Sequence, residues 1–305
     1  MAFTTNMSGT TQLADRLITV YSNEFIVSAE NTLTKGLPSL ATQKLEGKWK
    51  TASFTIYSKL TVQSSALTED TDPTSEAMAD TAATITPAEY GNVTTTTALV
   101  RAQSGGMVDI AAVRLAAVNM AESIEYKMIL VGEAGSNELT VNASGEGSTT
   151  AGNVLTHAFV KQAYNKLRRA GIPGPYIAVA HSDVIFDLQA ATGTQGWTEI
   201  SNYADPQSVL ANEIGTFGGF RWIESPLVTI NADAGSSAVD TYHTQFFGYN
   251  AFGYCESQAP NGVITSSDKL ARFVNVGWFG IYEFGIIDSN AHWIVTSASS
   301  VGSNT

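Results

Sequence analysis

The chain has 305 residues, 44% of them hydrophobic and only 14% charged, with a formal net charge of −12 and a pI near 4.7. That length is enough for a large core and predicts two domains. The acidic balance excludes a general nucleic-acid binder, which needs a basic surface to displace counterions, but not a protein that encloses nucleic acid without gripping it. A charged share below the about 25% of a typical soluble domain predicts a surface covered by further copies of the same chain, where like charges would repel. Cys255 is the single cysteine, so no internal disulfide can form. The opening MAFTTNMSGTT has neither a basic nor an apolar region, so no signal peptide is expected. No apolar run reaches the roughly 18 residues of a membrane span.

In chain order, Thr11 to Leu33 place Leu13, Leu17, Val20, Tyr21, Phe25, Ala29 and Leu33 at helical spacing, with Gly36-Leu37-Pro38 as a stop. From Trp49 the period changes to two. Ala52, Phe54, Ile56, Leu60 and Val62 alternate with Ser53, Thr55, Tyr57, Lys59 and Thr61, the pattern of a half-exposed strand. An acidic stretch follows with Glu69, Asp70, Asp72, Glu76 and Asp80. Then β-branched residues return in TAATITPAEYGNVTTTTALV, interrupted by Pro87 and Gly91. Together Trp49 to Val100 predict a long two-stranded arm with an acidic tip. Two strands alone are marginal in water, so such an arm is expected to lie on another surface. The alternative is a hairpin closing onto a sheet of its own domain.

Gly106 to Val131 carries the strongest pattern. Met107, Ile110, Val113, Ala117, Met120, Ile124, Met128 and Val131 recur at three and four, while Asp109, Arg114, Asn119, Glu122 and Glu125 fall off the stripe. No proline interrupts it and Gly132 is read as its stop, giving a helix about 38 Å long that needs a long partner surface.

Gly132 to Gly152 reads as an exposed loop with a small hairpin around Leu139-Thr140-Val141. Asn153 is the expected N-cap of a helix from Val154 to Ala170, with Leu155, Phe159, Ala163 and Leu167 inward and Gly171 as its stop. Its Lys161, Lys166, Arg168 and Arg169 are read as dipole complement and solvation rather than a nucleic-acid patch. Tyr176 to Ala180 predict a buried strand, and Ser182 or Asp183 the cap of a helix through Gln189. A loop with Trp197 and Tyr203 spans Gly193 to Gln207, followed by a helical turn at Val209 to Ile214 and a strand at Phe220 to Glu224. After a loop from Ala232 to Asp240, Thr244 to Cys255 is aromatic strand material. Arg272 to Ile287 predicts a central, doubly covered strand, and Ala291 to Thr296 a closing hairpin after Asp288-Ser289-Asn290.

No chemistry emerges from this pattern. His181-Ser182-Asp183 has the residue types of a hydrolase triad, but adjacent residues cannot assemble one, and helix capping accounts for Ser182 and Asp183. His157, His181, His243 and His292 stand at no metal-ligand spacing, and no phosphate-binding glycine loop is present. The acidic run lacks a calcium-loop pattern. It is read as a solvated tip or one meeting a basic surface on another chain. No enzyme, cofactor or metal is expected.

PAEYGNVTTT before the long helix, GIPGPYIAVAHSDVIFDL, ANEIGTFGGFRWIESP and FVNVGWFGIYEFGIID follow one another in the order of a known family. The chain resembles the major capsid proteins of tailed bacteriophages, of the α+β Hong Kong 97-type fold, and more narrowly the capsid family of phage N-four. The resemblance implies an N-arm at 1–48 and an extended β-loop at 49–84 that overlaps an adjacent subunit. It implies a peripheral domain at 85–152 with a spine helix at 106–131, an axial α/β domain at 153–270, and return strands of the peripheral domain at 271–305. Its inter-subunit contact residues would be Trp49, Phe54, Ile56, Tyr57, Lys59, Leu60, Glu69, Asp70, Asp72 and Glu76. Met107, Ile110, Val113, Met120, Ile124 and Met128 would form the spine's core face.

The implied function is a structural subunit that assembles with itself as pentamers and hexamers into an icosahedral shell around double-stranded DNA. The implied partners are a portal protein at one vertex, a separate scaffolding protein and a decoration protein, with assembly in the bacterial cytoplasm, residence in the virion, and no covalent crosslink. The runner-up readings are a β-rich phage or cell-surface adhesion module and an encapsulin-like nanocompartment shell.

Overall fold

Pro87 decides where the arm stops. After β1 (Gln43–Glu46), strand β2 (Ala52–Tyr57) pairs antiparallel with β3 (Asp80–Ile85), Ala52 facing Ile85 and Tyr57 facing Asp80. A proline cannot donate to a ladder, and beyond it β4 (Ala88–Thr97) joins a different sheet. The arm therefore pairs 52–57 with 80–85 and does not run to Val100. Leu60 and Val62 lie past its paired part and are exposed. Val100 belongs to a short helix, α1 (Ala98–Ser104), opened by the Thr97 hydroxyl, which accepts from Val100 N at 3.4 Å, and closed by Gly105 at φ 61°. This computed structural model describes residues 43–48, 50–67, 69–70, 72–73, 75–105, 107–191, 213–266, 268, 270 and 272–301. The helix expected at Thr11 to Leu33, Trp49, the loop from Gly193 to Gln207 and the start of the turn at Val209 lie outside them. Glu213 and Ile214, expected to end that turn, are in a strand.

The long helix α2 (Met107–Glu133) is followed by β5 (Glu138–Thr140), α3 (His157–Arg169), β6 (Ile177–Ala180), α4 (Ser182–Ala190), β7 (Glu213–Phe217), β8 (Phe220–Glu224) and β9 (Ile230–Asn231). The chain then runs through β10 (Thr241–Phe247), β11 (Phe252–Ser266), β12 (Phe273–Ile286) and β13 (His292–Ser297). Among the described residues these strands form the arm, a four-stranded sheet in the order β1-β11-β12-β4, and a seven-stranded sheet in the order β5-β13-β10-β6-β8-β7, with β9 on β10. β12 is central, between β11 and β4, as expected.

Two short crossings depart from the expected layout. The aromatic run Thr244 to Cys255 divides at Gly248–Ala251, placing β10 in one sheet and β11 in the other. The turn at Asp288, whose carboxylate accepts from Asn290 N at 2.9 Å, does not close a hairpin. It carries β13 away from β12 to pair antiparallel with β10 and parallel with β5. β5 is thus a lone strand on β13 and not half of a hairpin at Leu139-Thr140-Val141. The sheets consequently do not divide at 153 and 271. β5 and β13 sit with the seven-stranded sheet, and β11 with the four-stranded one. Hydrophobic alternation tells which face of a strand is buried, not which sheet it joins.

The α2 stripe is also rotated from its expected line. Its buried residues pair as Ala112 and Val113, Ala116 and Ala117, Met120 and Ala121, Ile124 and Glu125, Met128 and Ile129, ending on Gly132. A four-residue repeat on a 3.6-residue helix drifts about 40° per turn, so the buried line winds about 160° round the axis from Val113 to Ile129. The reason is that α2 serves two surfaces. Near its start Asp109 accepts from Thr96 Oγ1 at 2.9 Å, and Asn119 Oδ1 from Trp278 Nε1 at 2.9 Å, both on the four-stranded sheet. Near its end Gln245 Nε2, on the seven-stranded sheet, donates to Ile129 O at 2.7 Å. Val113, Met120, Ile124 and Met128 are buried as expected, but Met107 and Ile110 are exposed, and Asp109 and Glu125 are buried, Glu125 accepting from the Ser225 hydroxyl. Gly132 does not stop the helix. A Cβ there would lie 2.1 Å from Gln245 Oε1, so the glycine makes room for that side chain.

Helix α3 starts at His157. Asn153 instead ties the preceding turn, its Oδ1 accepting from Thr150 N at 2.7 Å and Thr150 Oγ1 at 2.8 Å. Val160, Ala163 and Leu167 are buried, whereas Phe159 is half-buried. The end is as expected. Gly171 adopts φ 72° while its N–H reaches Arg168 O at 2.9 Å and Ile172 N reaches Leu167 O at 3.2 Å, the paired bonds of a Schellman cap. In α4 the cap is His181, whose Nδ1 accepts from Asp183 N at 3.3 Å, and Asp183 Oδ2 accepts from the Tyr242 hydroxyl at 2.8 Å. The core between these helices and the seven-stranded sheet is aromatic, with Phe220, Trp222 and Phe246 fully buried and Trp222 packed edge-on against Phe246 at 5.6 Å.

Candidate inter-subunit interface

The arm has a root and a free end, and the sequence builds them differently. At the root Gly253 of β11 faces Gly285 of β12 across the ladder. Neither has a side chain, which leaves a socket. Phe54, Ala52 and Ile85 of the arm fill it against Cys255 and Ile287. A Cβ on Gly285 would stand 2.7 Å from Ile85 Cδ1, and one on Gly253 3.2 Å from Phe54 Cζ and 2.7 Å from Ile287 Cδ1. A glycine inside a strand signals such close approach. FGYC and FGII carried that signal, which the alternation pattern left unread. Replacing Gly285 with Val should overpack the socket and cost about 1–3 kcal/mol. The expected result is a lower thermal midpoint together with faster amide exchange at 52–57 and 80–85.

Beyond the root the arm is exposed, and its Lys59 passes the end of α3 beside Gly171. One more ladder bond, Ser58 N to Ala79 O at 2.8 Å, extends it. Further out a clamp joins the two limbs, with Glu76 carboxylate oxygens accepting from Thr61 N at 3.0 and 3.1 Å and from Thr61 Oγ1 at 2.7 Å. Those bonds hold the Glu76 carboxyl below its ordinary pKa. Around the clamp Tyr57, Leu60, Val62, Leu67 and Met78 are all more than half exposed. These exposed apolar side chains make the projection the candidate interface.

Of the expected contact residues, Phe54 is buried and Ile56 half-buried in the root, so both hold the arm to its own subunit. Tyr57, Lys59, Leu60, Glu69, Asp70, Asp72 and Glu76 are exposed along the free part. A second exposed surface was missed. Among the described residues β4 is the outer strand of its sheet, paired with β12, and Val93 of β4 and Met107, Ile110 and Leu115 of α2 are open to solvent. A ten-residue edge strand whose one charged side chain is Glu89 is a template for pairing with another chain.

Three of the four histidines have structural roles. His181 is a cap. His243 Nδ1 lies 2.8 Å from Glu133 Oε1 and its Nε2 3.1 Å from Glu146 Oε1, so the ring bridges the end of α2 to the following loop. The two carboxylates sit on opposite ring nitrogens and cannot share one ion. His292 is buried between Phe247 and Phe252, with its ring centroid 6.5 and 5.3 Å from theirs.

No family model matches the chain, and no curated protein matches it. Solved structures do. The capsid of Ralstonia phage GP4 superposes with a TM-score of 0.72 at 9% identity, over 87% of this chain and 89% of that one. The capsid of cyanophage Pam1 gives 0.63 at 13% identity, over 83% and 86%. The acid-stable capsid of Helicobacter pylori bacteriophage KHP30 gives 0.63 at 12% identity, over 84% and 86%. The fold is therefore the α+β Hong Kong 97-type fold of phage capsids.

Proposed function

We propose that this chain is the major capsid protein of a tailed bacteriophage, a structural protein without catalytic activity. It assembles with itself as pentamers and hexamers into an icosahedral shell that encloses double-stranded DNA. The observation that carries this reading is the arm: rooted by Phe54 and Ile85 in a glycine socket, it projects apolar and acidic side chains that its own subunit leaves uncovered. Such a projection becomes stable by resting on a neighbouring copy. The likeness of the fold to phage capsids across more than four-fifths of the chain supports the same reading. The net charge of −12 suits a wall that DNA must not adhere to.

In this reading 1–48 is the N-arm and 49–84 the extended loop; α2 with the four-stranded sheet is the peripheral domain, and the seven-stranded sheet with α3 and α4 is the axial domain, so that β11 goes with the former and β5 and β13 with the latter. The affinity of the four quoted motifs for the phage N-four family, a separate scaffolding protein, a portal at one vertex, a decoration protein and assembly in the bacterial cytoplasm belong to the same proposal. Negative-stain microscopy of the purified full chain tests it. Closed shells, tubes or capsomer rings are expected; uniform monomers or trimers at every concentration would overturn it.

A further inference from the structure

Four of the 16 Lys and Arg residues of this acidic chain fall within nine positions, at Lys161, Lys166, Arg168 and Arg169 of α3. Seven residues is close to two helical turns, so Lys161 and Arg168 share a face, and both are exposed along with Arg169. Arg168 lies over the Tyr164 ring at 5.6 Å, and Lys166 packs over Trp293 at 5.1 Å on the other flank. None of the four forms an ion pair with a carboxylate among the described residues.

A helix C-terminus tolerates positive charge through its dipole, worth roughly half a charge. Here that end carries more than it can offset. Two of its carbonyls are already bonded by Gly171 N and Ile172 N. The arm adds a further cation, because a Cβ on Gly171 would stand 2.6 Å from Lys59 Nζ. Lys59 thus joins Arg168 and Arg169 at the same end of α3, and none of the three forms an ion pair with a carboxylate among the described residues.

The arm's free end has the opposite imbalance. Glu69, Asp70 and Asp72 are exposed, and no Lys or Arg among the described residues pairs with them. The stem of the arm passes the end of its own α3 at Lys59, yet the acidic tip does not pair with that helix. We propose that the tip carboxylates of one copy, Glu69, Asp70 and Asp72, seat on the basic end formed by Lys59, Arg168 and Arg169 of a second copy. This inference rests on the shell reading above and names the surface that the arm meets.

The test uses the full chain in three forms: Arg168→Glu with Arg169→Glu; Glu69→Lys with Asp70→Lys and Asp72→Lys; and both sets together. Circular dichroism and thermal midpoint establish that each is folded, as exposed positions allow. Either set alone should raise the protein concentration needed for assembly about tenfold, and 0.5 M salt should weaken assembly of the unaltered chain. The combined variant should return to within about threefold of the unaltered chain. Failure of either set alone to change assembly, or failure of the combination to rescue, overturns the pairing. So does a basic-set variant that assembles normally but encloses less nucleic acid, which would make the patch a phosphate contact. If the unaltered chain forms no particles at all, the shell reading fails by itself. The pairing is then read from association of the same three variants in sedimentation, with the same outcomes deciding it.

Discussion

Removing Ser64 to Ala79 should leave a folded chain that no longer closes into shells. The described residues in the deletion are all exposed, and the root contacts of Phe54 and Ile85 lie outside it. Intramolecular stability should thus change little, with a thermal midpoint within about 4 °C of the unaltered chain. What is lost is Leu67, Met78, the acidic tip and the Glu76 clamp on Thr61. If these form the overlap between copies, light scattering and microscopy should show capsomers or monomers where the full chain gives closed particles. Normal shells from the shortened chain would refute the role given to the arm.

Acid should destabilise this protein through His292, and replacing it with Phe should remove that sensitivity. The ring is buried among Phe247 and Phe252, and burial alone pushes its pKa from 6.5 down to about 3. Above pH 6.5 the imidazole is neutral in both folded and unfolded chains, and its titration contributes nothing. Below 6.5 the unfolded chain takes up a proton that the native ring refuses, so stability falls by about 1.4 kcal/mol per pH unit until about pH 3. Over that window the loss reaches about 5 kcal/mol, and between pH 7.5 and 4.5 about 3 kcal/mol. Urea midpoints at those two pH values, compared between the unaltered chain and His292→Phe, isolate it from other acid effects. A slope equal in the two proteins would show that this ring does not govern the response.

The sequence made the elements legible and left their partners hidden. Val113 to Met128, the alternation of Ala52, Phe54 and Ile56, and the glycine stop at Gly171 could be read because each depends on neighbours within a few positions. Met107 and Ile110 misled because the expected stripe assumed one flat surface, while α2 packs on two. The placement of β13 beside β10 depends on pairings such as His243 with Thr296, 53 positions apart, which no local pattern encodes. Ser182 and Asp183 were reasonable caps by residue type, yet His181, one position earlier, supplies the acceptor. The arm was recognisable as a marginal hairpin with an acidic tip. Its socket was not, because Gly253 and Gly285 matter through what they omit.

The winding seam on α2 has a mechanical consequence. A rod glued to two plates along a single straight line lets either plate pivot about it. A rod whose adhesive line circles it, meeting one plate early and the other late, couples them. Turning the seven-stranded sheet against the four-stranded one must then twist or bow the segment between Asn119 and Ile129, where the grip passes from one to the other. Any change that reorients the two sheets would be registered as strain in those three turns.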